Sequence, residues 1–252
     1  MKILGVIPAR YASTRFPGKP LAMIGGKTMI ERVYRQAKEA AALTTVVVAT
    51  DDQRIADTVI SFGGEVVMTR ADHPSGTDRC AEALQLVNGK FEGVVNIQGD
   101  EPFINPGQID VLCETLSESG VDIATLVKPL QAQEELLNPN TPKVVLAANG
   151  DALYFSRQPI PFYKGADVSE WCGQHSYYKH IGIYGYRADI LPRLTQLPHG
   201  ELEKAESLEQ LRWLEHGFRI RTRVTEAETI AVDTPEDLQS AEAYFKGLES
   251  GR

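Results

Sequence analysis

Ile3-Leu4-Gly5-Val6-Ile7 runs straight into Pro8-Ala9-Arg10-Tyr11-Ala12-Ser13-Thr14-Arg15-Phe16-Pro17-Gly18-Lys19-Pro20-Leu21. The first five residues are short, apolar and bounded by proline, which predicts a buried strand ending at Ile7. Pro8, Pro17 and Pro20 forbid continuous helix or ladder across 8–21. Gly18 lets the backbone turn tightly or approach a ligand closely. Arg10, Arg15 and Lys19 therefore hang on a constrained loop at the carboxyl end of a first strand, where open α/β sheets bind ligands. Arginine forks and a lysine point charge held there suit a polyphosphate. Gly26-Lys27-Thr28 is not a Walker loop: Leu21 stands where the earlier glycine is required. No Gly-x-Gly-x-x-Gly follows the strand, which argues against a dinucleotide fold.

Downstream, apolar runs alternate with helical periodicity. Strands are expected at 45–49, 65–69, 93–97 and 121–127, and helices at 28–41, 51–61, 77–87 and 106–119. That rhythm predicts a parallel sheet with both faces covered. It changes near residue 129. Val144–Leu146 and Ala152–Phe155 flank Asn149-Gly150-Asp151, a hairpin signal, and 158–178 reads as loop. Ile181–Tyr186 reads as a strand. Residues 201–216 read as one helix, with Leu202, Ala205, Leu208, Leu211 and Leu214 on its apolar side. Strands are expected again at 218–224 and 229–232. A last helix opens at Thr234, with Pro235 at its first position. The expectation is a single α/β domain spanning 1–252, a mixed and mainly parallel Rossmann-like sheet covered by helices. An antiparallel, lid-like insertion occupies about 129–200.

The chain has 252 residues, 42% hydrophobic and 24% charged, with a formal net charge of −8. Acidity of that size excludes nucleic acid or an anionic membrane as the main partner, while a local basic loop can still hold phosphate. No apolar run approaches a membrane span. Met1-Lys2 leading into a strand is not a signal-peptide pattern. Cys80, Cys113 and Cys172 form neither a zinc motif nor a disulfide framework, so a cytoplasmic protein is expected.

Two carboxylates stand at expected strand ends, Asp100 in Gln98-Gly99-Asp100-Glu101-Pro102 and Asp233 in Val232-Asp233-Thr234-Pro235-Glu236-Asp237-Leu238. Each is a candidate Mg²⁺ ligand, since Mg²⁺ takes one or two protein carboxylates beside phosphate oxygens. Each also has an ordinary reading: a turn aspartate for Asp100, a helix-start charge for Asp233. Arg70-Ala71-Asp72-His73-Pro74-Ser75-Gly76-Thr77-Asp78-Arg79 is either a helix entry or a seat for a base and ribose. His73 has no neighbours in metal-ligand spacing. Lys179–Tyr186 alternates as a half-buried strand, in which Tyr184 reads as core lining; Glu206 and Glu209 read as a solvated helix face, and Arg157 as a surface ion pair.

Arg10 to Leu21 resembles, without a gap, the signature loop of the sugar nucleotidyltransferases, and most closely that of the 3-deoxy-manno-octulosonate cytidylyltransferase (CMP-KDO synthetase) family. The segments around Asp100 and Asp233 are similar to that family's metal-binding segments, and matched motifs run from residue 5 to about 238; 162–178 match less well. The resemblance implies transfer of CMP from CTP to KDO for lipopolysaccharide biosynthesis, with Mg²⁺ on Asp100 and Asp233. It implies catalytic roles for Arg10, Lys19, Asp100 and Asp233. Ala9, Arg10, Arg15, Lys19, Arg70, Ser75, Gly76 and Thr77 would hold the nucleotide. Gln98, Arg157, His180, Tyr184, Glu209 and Gln210 would meet the sugar acid, with Arg157 facing its carboxylate. It further implies a homodimer, with the insertion supplying the sugar-acid site and dimer contacts. A cytidylyltransferase for a related sugar acid (8-amino-KDO or a nonulosonic acid) is the alternative. A metal-dependent glycosyltransferase is disfavoured, because the fourth strand ends without an Asp-x-Asp pair.

Overall fold

β1 (Ile3–Ala9) is the spine of the amino-terminal part of the chain. It pairs in parallel with β4 (Thr45–Thr50) on one side and β6 (Gly93–Asn96) on the other, and β4 carries β5 (Val66–Met68) at its outer edge. Ile3, Leu4, Val6 and Ile7 are all buried, as the unbroken apolar run requires for a strand covered on both faces. The strand is longer than expected, because Pro8 lies inside it. Pro8 stays in register with Ala49, whereas the β6 pairing has already ended at Val6–Asn96, so the missing N–H interrupts no ladder there.

The computed structural model describes residues 1–12, 16–228 and 230–250. A small hairpin, β2 (Met23–Ile24) and β3 (Lys27–Thr28), leads into α1 (Met29–Lys38), capped by the Thr28 hydroxyl on the Glu31 N–H. Met29, Ile30, Val33, Tyr34 and Ala37 form the buried stripe of α1. α2 (Gln53–Ser61) is capped by Asp52, and α3 (Gly76–Leu86) by Ser75. α4 (Pro106–Leu116) closes this run.

The chain divides into two compact units, Met1–Cys113 with Ala227–Arg252, and Glu114–Glu226. In the second unit, β7 (Ile123–Leu130) is followed by α5 (Gln133–Leu137) and the hairpin β8 (Lys143–Leu146) and β9 (Ala152–Ser156). Within 158–178, expected to be loop, a 3-10 turn and α6 (Trp171–Gln174) form around the buried Trp171. β10 (Tyr177–Arg187) is antiparallel to β7 and to β8, with a register shift between Ile181 and Tyr184. After α7 (Leu191–Leu194), the single helix expected over 201–216 is two, α8 (Glu201–Glu206) and α9 (Glu209–Glu215). Ser207 between them is left-handed, φ 51° and ψ 48°. The break turns the faces apart: Leu202 is exposed, while Glu203 and Arg212 are buried as an ion pair at 2.5 Å.

β11 (Ile220–Val224) runs parallel to β7. The expected strand at 229–232 is absent among the described residues: Ile230 to Val232 carry no ladder, and Thr229 lies outside them. α10 (Pro235–Ser250) then completes the first unit. Its Ala241 and the preceding Val232 are fully buried with Ile24 and Met29, and Leu238 and Phe245 pack on that cluster. The mixed, mainly parallel α/β character read from the sequence is what these elements build. Its antiparallel part is the β7–β10–β8–β9 array.

Candidate active site

The cluster of Ile24, Met29 and Val232 does more than fill space. With Val232 fixed, its N–H donates to the Asp100 carbonyl at 2.9 Å, and Asp233 comes immediately after it. Gly99 allows the second approach. A Cβ there would lie 2.9 Å from the Pro8 carbonyl oxygen, so only glycine lets the end of β6 lie against the end of β1. The third component is the loop after β1. The Gly18 N–H donates to the Tyr11 carbonyl at 2.9 Å, with Gly18 at φ 74°, and Lys19 opens a 3-10 turn directly behind it. The Lys19 ammonium then meets both carboxylates, Asp100 at 2.8 Å and Asp233 at 3.1 Å.

These groups line a cavity of ≈ 280 Å³ with Pro8, Ala9, Arg10, Ser75, Gly76, Gln98 and Gly99. Ala9, Arg10, Lys19, Ser75, Gly76, Asp100 and Asp233, assigned from the sequence to nucleotide or metal, are thus brought together. Gln98, expected at the sugar acid, lines the same cavity. Arg70 does not line it; its side chain is exposed and pairs with Asp72 at 3.1 Å. Thr77 is buried in the first turn of α3 rather than lining it. Arg15 lies outside the described residues. His73 also lines the cavity, its Nε2 tied to the Glu82 carboxylate.

Arg79 is the lining residue that the sequence reading left unassigned. It is 4% exposed, donates to the Thr69 hydroxyl at 2.6 Å and pairs with Asp51 at 2.9 Å. An arginine beside Cys80 and Ala83 in a short helix was the available signal, since so buried a guanidinium needs partners. Among the lining residues Arg10 and Lys19 stand against Asp100 and Asp233, and Arg79 is already paired with Asp51. That balance leaves the charge of a triphosphate unmet, and a divalent cation would offset it.

The residues present fit one. Two carboxylates already converge on a single cationic atom. Among the described residues no group of three or more His, Cys, Asp or Glu side chains gathers. An ion there would take two hard protein ligands and complete its shell with phosphate oxygens and water, the habit of Mg²⁺ rather than of zinc. Beside Asp100, Glu101 is buried, and desolvation, then the Asp100 charge, push its carboxyl up to about 7.

The second unit holds the remaining sugar-acid candidates. On β10, the His180 Nε2 lies 3.0 Å from the Thr125 hydroxyl, whose own hydrogen has the Ile183 carbonyl at 2.8 Å. The hydroxyl therefore accepts from Nε2–H, which leaves Nδ1 as an acceptor. The ring keeps some exposure yet sits deep against Phe155 and Tyr184, and burial pushes its pKa down to about 3. Tyr184 is 8% exposed, and its Oη has no hydrogen-bond partner among the described residues; the Trp213 Nε1 beside it, on a residue the sequence reading passed over, has none there either. Glu209 and Gln210 sit in the first turn of α9, with Gln210 buried. Arg157 is placed otherwise than expected. Its guanidinium donates to the carbonyls of Glu206 (2.6 Å), Pro139 (2.9 Å) and Ser207 (3.3 Å), so it is committed to backbone rather than offered to a carboxylate.

The His180 shift predicts a pH effect. A folded value near 3 against an ordinary 6.5 means that the unfolded chain binds the proton more readily between these limits. The stability His180 contributes is complete above pH 6.5 and is lost as pH falls toward 3. The slope is below about 1.4 kcal/mol per pH unit, because the ring keeps some solvent. Glu101, raised to about 7, acts oppositely and favours the folded state as pH falls. The difference between wild type and His180→Gln in urea midpoints at about pH 7.5 and about pH 5 isolates the histidine. Equal acid losses in both proteins would remove His180 from the account.

A basic loop at the end of β1, with Asp100 and Asp233 brought together beside it on a helix-covered α/β sheet, defines a nucleotide-handling enzyme fold of the nucleotidyltransferase kind. The model of the Cytidylyltransferase family matches residues 4–224. A 3-deoxy-manno-octulosonate cytidylyltransferase from Bacteroides thetaiotaomicron is 57% identical over 249 residues, covering 98% of this chain and 99% of that protein. One from Parabacteroides distasonis is 55% identical over 249 residues, covering 97% and 98%. A solved CMP:2-keto-3-deoxy-manno-octonic acid synthetase complexed with CTP superposes at TM-score 0.91, with 43% identity and 98% and 99% coverage. The chain belongs to the 3-deoxy-manno-octulosonate cytidylyltransferase family.

Proposed function

We propose that the protein transfers CMP from CTP to the anomeric hydroxyl of 3-deoxy-D-manno-octulosonate, releasing pyrophosphate. The carrying observation is the meeting of Lys19, Asp100 and Asp233 in one cavity at the carboxyl ends of β1 and β6. The new bond joins the sugar oxygen to the α-phosphorus, and the bond to the pyrophosphate oxygen breaks in line with it. Arg10 and Lys19 hold the phosphates and meet the charge that moves to the leaving group. Ser75, Gly76 and Ala9 present short groups and backbone to the nucleoside side of the cavity. Mg²⁺ held by Asp100 and Asp233 would supply phosphate neutralisation and a lowered hydroxyl pKa. His180, through Nδ1, and Tyr184, Glu209 and Gln210 would bond the sugar hydroxyls. We assign no separate general base.

The product is read as an activated sugar acid for lipopolysaccharide assembly, and the protein as a cytoplasmic homodimer. The three cysteines remain free, and no helix is long and apolar enough to cross a membrane among the described residues. Light scattering of the purified protein checks the dimer: a monomer's mass would overturn that part.

Pyrophosphate release over a matrix of nucleoside triphosphates and sugar acids tests the whole reading. CTP with KDO is expected to exceed every other pair by at least about 10²-fold, since a wrong partner leaves buried polar groups unpaired. A higher kcat/KM for 8-amino-KDO or a nonulosonic acid would reassign the acceptor. Release without any sugar acid would remove the transferase reading.

A further inference from the structure

Ser207 is the one non-glycine residue at positive φ among the described residues. A left-handed serine strains the backbone unless its surroundings hold it. What holds this one is Arg157. Its Nε and Nη2 donate to the carbonyls of Glu206 and Ser207, the orphaned acceptors where α8 ends. The Glu206 carboxylate returns the contact, accepting the Arg157 N–H at 2.9 Å and the Ser156 hydroxyl at 2.7 Å. The end of β9 and the corner between α8 and α9 are thereby laced together in both directions. Arg157 is anchored from behind as well: the buried Lys143 donates to its carbonyl at 2.5 Å and to that of Asn138 at 2.9 Å.

Just past the corner, α9 begins with Glu209 and Gln210. Its N-cap, Leu208, has no side-chain capping bond, so the direction of that first turn depends on the corner. We propose that Arg157, with Glu206, is a positioning residue for the sugar acid: it sets the left-handed corner at Ser207 and through it aims Glu209 and Gln210. This rests on the reading that Glu209 and Gln210 meet the sugar acid. It gives Arg157 a part in selectivity with no contact to the substrate.

The test is a rescue. Arg157→Ala is expected to raise KM for KDO at least about tenfold, with kcat and the CTP requirement changed less than about threefold. Ser207→Gly alone stays within about threefold of wild type, because glycine takes positive φ freely. The double variant Arg157→Ala/Ser207→Gly recovers most of the lost KDO affinity, since the corner then forms without its clamp. Ser207→Val, β-branched where φ is positive, reproduces the Arg157→Ala defect and serves if Arg157→Ala fails to fold. A KM defect in Arg157→Ala that Ser207→Gly leaves untouched, with Ser207→Val normal, would mean direct contact with the substrate and overturn the proposal. A lowered Tm with unchanged KM in both Arg157→Ala and Ser207→Val would reduce the clamp to stability alone and overturn it too. Glu209→Gln is the separate arm: normal KDO dependence there removes the sugar-site reading, whatever the rescue shows.

Discussion

Asp100→Asn is expected to lower kcat by about 10³-fold or more while leaving the fold intact. The loss is large because, on the proposed reading, the carboxylate would be one of two hard ligands for a divalent ion, and such an ion supplies several kcal/mol of transition-state charge stabilisation. Little folding energy is at stake. The Asp100 side chain is 26% exposed, its pair with Lys19 is at 2.8 Å, and Asp233 and Glu101 are like charges nearby. A partly exposed pair contributes about 1 kcal/mol or less, and relief of repulsion offsets it. Single turnover at saturating CTP and KDO across a Mg²⁺ titration, beside a thermal melt, reads both quantities. Activity within about tenfold of wild type at limiting Mg²⁺ would take Asp100 out of the metal site. Asp233→Asn should behave alike, with a weaker metal dependence in proportion to its greater exposure of 39%.

Lys19→Ala should cost about 10²–10³-fold in the chemical step, the range for one preorganised charge-stabilising donor. KM for KDO should move far less, since on the proposed reading Lys19 serves the phosphates of CTP. This substitution has a second signature. Without the ammonium, Asp100 and Asp233 face each other with no Lys19 charge between them, so Mg²⁺ alone should raise the melting temperature of Lys19→Ala more than that of wild type. An equal shift in the two proteins would show that Lys19 does not occupy the ion's place. Loss of sugar affinity with normal chemistry would assign the loop to the other substrate.

Much of this was legible because its signals are local. The alternation of β-branched runs with capped helices announces the parallel sheet. Three prolines and Gly18 force the irregular loop, and Asp100 is readable from the strand that leads to it, whereas the strand expected before Asp233 does not form among the described residues. What escaped is written between distant segments. The leucine spacing of 201–216 continues through Ser207 as if the helix did, and the break comes from Arg157 and from the buried Glu203–Arg212 pair. Arg79 reads as a helix residue until Asp51 and Thr69 are folded beside it. Arg157 ends a hairpin strand, and its sequence neighbours say nothing of carbonyls 50 positions away. Tyr184 reads as core filling, which is true of its ring, while its hydroxyl, without a partner among the described residues, is visible only once Trp213 is packed against it.

The first unit is assembled from segments far apart in the chain. Asp233 is separated from Lys19 by 214 positions and returns to it only through the stretch after β11, stitched by the Val232 N–H to Asp100 and clamped by α10. A ribosome therefore delivers the sheet, the loop and the first carboxylate long before the second. Until the segment beyond residue 227 is made, the nascent polypeptide lacks the second carboxylate and the helix that clamps it. Messages cut short, or proteins clipped ahead of residue 227, are therefore expected to stay silent instead of consuming CTP.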